Sequence, residues 1–195
     1  MLGGFDEAII FLLVIIVFYG MDFYLIDRYD KRRRASCSGR SWDFTLLMLA
    51  IAALLVMQPI FLPQIGWRTK ATWGLAMQCV GILSLVGALA LHFWARRHLQ
   101  EFYAERVEVQ PQHRLIDTGP YARIRHPVIT SFFGMVIGLF LVNPALTTLA
   151  MLIYTFWDFT RAARQEEELL SKSLPDYAAY MARTARFLPN PWRKD

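Results

Sequence analysis

The chain has 195 residues and a formal net charge of +5, and it is 55% hydrophobic with only 19% charged residues. That length reads as one domain, and so apolar a composition excludes an ordinary soluble fold and points to an integral membrane protein. The basic residues gather at the ends of apolar runs, where they orient a chain in a bilayer, and no basic groove with interleaved aromatics can be traced, which excludes nucleic-acid binding.

Residues 8–25 are apolar apart from Asp22, close to the roughly 20 helical residues that a hydrocarbon core requires. Asp6 and Glu7 precede this run and no small-residue cleavage site follows it, so it reads as a retained span rather than a signal peptide. Arg28, the basic run from Lys31 to Arg34, and Arg40 come next, and the positive-inside rule assigns that loop to the cytoplasm. Asp22, within a turn of this end, reads as an interface-facing carboxylate, with a polar relay as the other option. A second span covers 44–63, with Pro59 and Pro63 at its far end, where a helix stop costs least. The link after it carries only Arg68 and Lys70 and is expected outside.

A third span, 73–93, ends in Arg96, Arg97 and His98, which return the chain to the cytoplasm. Residues 99–127 are too polar to cross, and Arg106 to Val109 alternate in the manner of a short strand. The apolar stretch from Val128 to Phe159 is broken by Asn143-Pro144, a turn signal. Its arms, 128–142 and 145–159, predict a helical hairpin of two tightly paired helices with Gly134 and Gly138 as the packing face; one long bent helix, giving four spans, is the alternative. Residues 160–195 read as helices leaving the last span, interrupted at Pro175. The expected fold is therefore all-α, with five transmembrane helices, an outside N-terminus, a cytoplasmic C-terminus and a prokaryotic cell membrane as its setting.

Chemistry is expected at the border between polar loop and span. The fifteen residues from His113 to Pro127 hold two histidines, three arginines, the Gly119-Pro120 turn and Tyr121, a set suited to a polar or anionic ligand. His126 precedes Pro127 at the first helical position, where free N–H groups and the dipole favour an anion. Arg161, Arg164, Glu167 and Glu168 share a helical face beyond the hairpin, which can equally be read as surface ion pairs with snorkelling arginines. Cys37 and Cys79 are poorly placed for a disulfide or a zinc site, so no metal is expected, and no GxGxxG follows a strand.

In order, Gly119-Pro-Tyr-Ala-Arg-Ile-Arg-His-Pro127, the apolar hairpin, an acidic pair, Leu174-Pro-Asp-Tyr-Ala-Ala-Tyr180 and Arg186-Phe-Leu-Pro189 make a composite pattern across residues 106 to 192. It resembles the isoprenylcysteine carboxyl methyltransferase family of integral membrane enzymes, related to the phospholipid methyltransferases. The resemblance implies S-adenosylmethionine as cofactor, S-adenosylhomocysteine as product, and a pocket from His113, Leu115, Ile116, Gly119, Tyr121, His126, Pro127, Glu167, Tyr177 and Tyr180. It also implies that Arg164, or Arg161 after it, orients the acceptor carboxylate, while Glu167 holds the cofactor or that arginine. The implied acceptor is the carboxylate of a prenylated cysteine entering a monomeric enzyme from the bilayer, with a phospholipid amine as the alternative. Ile129 stands where these proteins commonly have Tyr, a departure on the acceptor side. An NADPH-dependent sterol-type reductase and a non-catalytic scaffold are the competing readings.

Overall fold

Backbone N–H and C=O groups in a hydrocarbon setting must be satisfied within their own segment, which makes helices the natural form for this composition. The computed structural model describes residues 2–29, 42–67, 72–100 and 115–189. Among them are six α-helices and no strand: α1 (Gly4–Tyr29), α2 (Trp42–Phe61), α3 (Thr72–Leu99), α4 (Pro127–Val142), α5 (Leu146–Ser173) and α6 (Tyr177–Arg183). Two 3-10 turns, Pro63–Ile65 and Gly119–Ala122, lie between them. The strand expected at 106–109 and His113 lie outside the described residues.

Two helices, α1 and α3, are long and apolar enough to cross a membrane. Leu12, Leu13, Ile16 and Phe23 of α1 point outward, while Phe11 lies in the core. The second half of Val128 to Phe159 does not stop at Phe159: α5 runs unbroken to Ser173, and α4 and α5 are separate helices parted at Asn143 to Ala145. The apolar stretch is thus a hairpin rather than one bent helix.

The small residues of α4 serve a different neighbour from the one expected. Instead of pairing the two arms, they fit α4 against α3. A Cβ on Gly134 would lie 3.0 Å from the Ala88 Cβ, and one on Gly138 2.7 Å from the Leu85 side chain and 2.8 Å from the Gly81 carbonyl oxygen. Ser84 Oγ donates to the Gly134 carbonyl at 2.8 Å, and Gln78 Nε2 donates to the Val142 carbonyl at 3.1 Å. The antiparallel register therefore runs from Ser131 beside His92 to Val142 beside Gln78. Close backbone approach of this kind is what small residues contribute where lipid supplies no hydrophobic drive between helices.

At one end of the bundle a buried polar knot holds the hairpin tip. Asn143 Nδ2 donates to Gln58 Oε1 at 2.6 Å, Thr147 Oγ1 to the same oxygen at 3.2 Å, and the Trp67 N–H to the Pro144 carbonyl at 2.7 Å. Gln78 Nε2 also reaches Glu7 of α1 at 3.2 Å. The tip thus meets the α2–α3 connection, and the start of α4 lies at the opposite end. There Asp22 is not simply interface-facing: it accepts Nε and Nη2 of the buried Arg96 at 3.1 and 2.9 Å, tying α1 to α3.

Gly81→Val should place its Cβ 2.9 Å from the backbone of Gly138 and Val142, an overpacking cost of roughly 1–3 kcal/mol. Thermal unfolding in detergent should show a clear fall in midpoint for this variant and little change for Gly20→Ala, where nothing lies within 4 Å.

Candidate functional site

The loop before α4 is fixed from two sides. Gly119 has φ +61°, a conformation that favours glycine, and a Cβ there would collide with the His98 imidazole. His98 Nδ1 in turn donates to the Trp94 carbonyl at 2.8 Å, so His98 is the seat of the turn rather than a topological charge alone. On the other side, the segment after α6 pairs with the loop through a parallel bridge between Ile124 and Ala185. Arg125 N–H donates to Ala185 O at 2.8 Å, Ala185 N–H to Arg123 O at 3.2 Å, and His126 N–H to Arg186 O at 3.1 Å. Thr130 Oγ1 adds a bond to Phe187 O at 2.8 Å.

This clamp sets three cationic side chains around one carboxylate. Glu167 lies on the face of α5 that also buries Ala163 and Leu170, and its side chain is only 8% exposed. Its Oε1 accepts Arg125 Nε at 2.8 Å and Arg186 Nε at 3.1 Å and faces His126 Nε2 at 3.2 Å, while Oε2 accepts Arg186 Nη2 at 2.5 Å. Arg125 Nη1 continues to the carbonyls of Met181, at 3.1 Å, and Thr184. Glu166 approaches the other imidazole nitrogen, Nδ1, at 3.4 Å.

Burial alone would raise the Glu167 carboxyl, but hydrogen bonds from His126, Arg186 and Arg125 hold it well below the usual carboxylate range. Burial likewise opposes protonation of His126, yet Glu166 and Glu167 outweigh it and raise the imidazole above its ordinary value of 6.5. The cluster therefore favours the ionised forms of Glu167 and His126 together, each supported by the opposite charge beside it.

Beside it the tyrosines are buried. Tyr177 and Tyr180 lie with ring centroids 5.7 Å apart, packed with Leu170, Leu115, Leu174 and Met181. Tyr180 Oη donates to the Tyr121 carbonyl at 2.8 Å, and burial pushes both phenols up. A cleft of about 590 Å³ opens on the far side of Glu167, lined by Arg164, Glu168, Ser171, Lys172, Met181 and Arg186. A second cleft, of about 320 Å³, holds Ile116 with Tyr29, Arg97, His98 and Thr118. Both volumes suit a ligand of cofactor size.

The residues expected to act together fall into groups. His126 and Glu167 meet directly, and Tyr121, Tyr177, Tyr180 and Leu115 form the adjoining wall. Pro127 starts α4, whereas Gly119 and Ile116 lie toward the second cleft. Arg164 is exposed on the larger cleft, and Arg161 sits over the Trp157 ring, 5.9 Å from its centroid. The arginines bound to Glu167 are Arg125 and Arg186 rather than Arg164. A sequence signal for them existed, since a carboxylate on an otherwise apolar helix face needs cationic partners, and Arg125 and Arg186 stand inside the two motifs flanking the hairpin and α6.

Comparison with known proteins follows the same residues. The model of the isoprenylcysteine carboxyl methyltransferase (ICMT) family matches residues 79–172, which run from within α3 through α4 and most of α5. Residues 79–172 are thus the part of the chain that is similar to that family. A solved eukaryotic intramembrane Ras methyltransferase, isoprenylcysteine carboxyl methyltransferase, shares the fold with a TM-score of 0.56 at 22% identity, over 77% of this chain and 53% of that one. The nickel-cobalt-cadmium resistance protein NccN of Alcaligenes xylosoxydans xylosoxydans is 28% identical over 120 residues, 60% of this chain and 53% of NccN. The cobalt-zinc-cadmium resistance protein CzcN of Cupriavidus metallidurans is 30% identical over 76 residues, 38% of this chain and 35% of CzcN. The chain thus spans about half, or less, of these relatives.

The two shifted groups give stability a pH dependence of known sign. Protonated His126 stabilises fully below its ordinary value of 6.5, and its contribution is lost as pH rises through the higher folded value. Glu167 contributes above its ordinary value of 4.5, and that contribution is lost as pH falls toward the lower folded one. Melting in detergent should accordingly give a lower midpoint at about pH 8.5 than at about pH 5.5, and His126→Gln should shrink that difference.

Proposed function

We propose that the chain is a membrane methyltransferase that uses S-adenosylmethionine to methylate the carboxylate of a prenylated cysteine. The observation that carries this reading is the convergence of three motif segments on Glu167, beside a cation-lined cleft at one end of the helix bundle. The donor set fits the cofactor: buried aromatic faces and carboxylates suit a sulfonium and an adenine, and the loop from Leu115 to Tyr121 offers backbone to the amino-acid end. When bound, the cofactor would supply an already activated methyl group.

The protein's share is then positioning. A carboxylate acceptor is a nucleophile at neutral pH and needs no general base, so the rate depends on aligning it and excluding water. Arg164 and Arg186, both on the larger cleft, are the side chains we assign to the acceptor carboxylate. Glu167, with its oxygens occupied by Arg125, His126 and Arg186, acts as the residue that positions those cations rather than as a direct ligand. The hairpin and three preceding helices would cross the bilayer, with this end of the bundle in the cytoplasm, as the basic flanks Arg28 and Arg96 to His98 support. Among the described residues no group of three His, Cys, Asp or Glu side chains is placed to hold a metal ion, so the metals in the names of NccN and CzcN form no part of this reading. A phospholipid amine remains the alternative acceptor.

Calorimetry should detect S-adenosylhomocysteine binding to the purified protein, with no competition from NADPH. Arg164→Ala should retain that affinity yet slow methyl transfer to N-acetyl-S-farnesylcysteine roughly 100-fold. Folded protein that ignores S-adenosylhomocysteine overturns the reading, and binding of NADPH instead favours the reductase.

A further inference from the structure

One buried group within the bundle takes no part in the cluster around Glu167. His92, on α3, is fully buried, and its Nδ1 lies 3.1 Å from Ser131 Oγ on α4. Ser131 has a single hydroxyl proton, and that proton goes to the Val128 carbonyl at 2.5 Å. Ser131 Oγ must therefore accept from His92, which puts a proton on Nδ1. In a neutral ring Nε2 is then a bare lone pair. Among the described residues it is the buried side-chain nitrogen or oxygen that finds no hydrogen-bond partner.

Such an orphan is costly in an apolar interior, and native structures rarely keep one without a reason. Its cover is thin. Phe18 of α1 and Phe132 of α4 lie with ring centroids 4.8 and 5.4 Å from the imidazole, and both rings are only half-buried. His92 thus sits one side chain beneath the outer surface of an apolar bundle. The next turn of α3 carries Arg96, a donor already engaged with Asp22 and so not directed at His92 Nε2.

We propose that His92 Nε2 is a binding point for a bilayer-borne lipophile with a hydroxyl or N–H donor at its head. The two rings supply apolar and aromatic contact for the chain next to that head. A carboxylate or ether head, which donates nothing, gains no bond there. The site is separate from the charged cleft and does not depend on the methyl-transfer reading.

The test is 15N NMR of histidine-labelled protein in detergent. The His92 signals are assigned by their loss in His92→Gln or, should that variant not fold, by elimination using variants of His98, His113 and His126. Without ligand, His92 should show a protonated Nδ1 and an unprotonated, unbonded Nε2. Farnesol should move the Nε2 resonance upfield in a saturable manner, and farnesyl methyl ether, with the same chain and no donor, should not. A ring protonated at Nε2 or at both nitrogens overturns the proposal, as does an equal response to both lipids or to neither. S-adenosylhomocysteine binding measured on the same sample separates the two readings, since it reports on the cleft and is indifferent to His92.

Discussion

A carboxylate removed from water is tolerable only where opposing charge and donors meet it, and Glu167 imposes that condition on everything around it. Arg125 and His126 come from the loop before α4, Arg186 from the segment after α6, and the carboxylate itself from α5. This shared charge acts together with the bridge from Ile124 to Ala185 and the Thr130–Phe187 and Tyr180–Tyr121 hydrogen bonds to hold these stretches side by side. Without the carboxylate, the two guanidinium groups would face each other without a counter-charge and the buried imidazole would lose support for its protonated form. The cluster is accordingly both the organiser of the local fold and the source of its electrostatic character.

Much of the architecture could be read from pattern alone, because apolar run length and the Asn143-Pro144 break are local properties. The continuation past the last apolar residue was legible too: the stretch from Thr160 reads as helix leaving the span, and α5 runs to Ser173 because nothing between Phe159 and Arg164 breaks a helix. The use of Gly134 and Gly138 was misjudged. A small-residue face announces that something packs closely, but which helix packs there depends on tertiary arrangement, and here it is α3, through Gly81, Leu85 and Ala88.

The site divided in the same way. His126, Glu167 and the two C-terminal tyrosines stood out through their motifs, and they do meet or adjoin. Arg125 and Arg186 were hidden because arginines before a span already have an explanation in topology. Arg164 attracted notice by sharing a helical face with acidic residues, yet those neighbours at one-turn spacing are not its partners. Side-chain pairing across 19 and 42 residues of sequence leaves no periodic trace. Asp22 and His98 likewise took ordinary readings until their partners, Arg96 and the Gly119 turn, came beside them.

The pairing of Ala185 with Arg123 and Arg125 bears on the order in which the protein is made. Residues 185–187 are synthesised after all six helices, so α1 to α5 can enter their final environment while Arg125 and His126 still lack the strip of backbone that holds them. The last strip of backbone is thus the piece that completes the enclosure of Glu167.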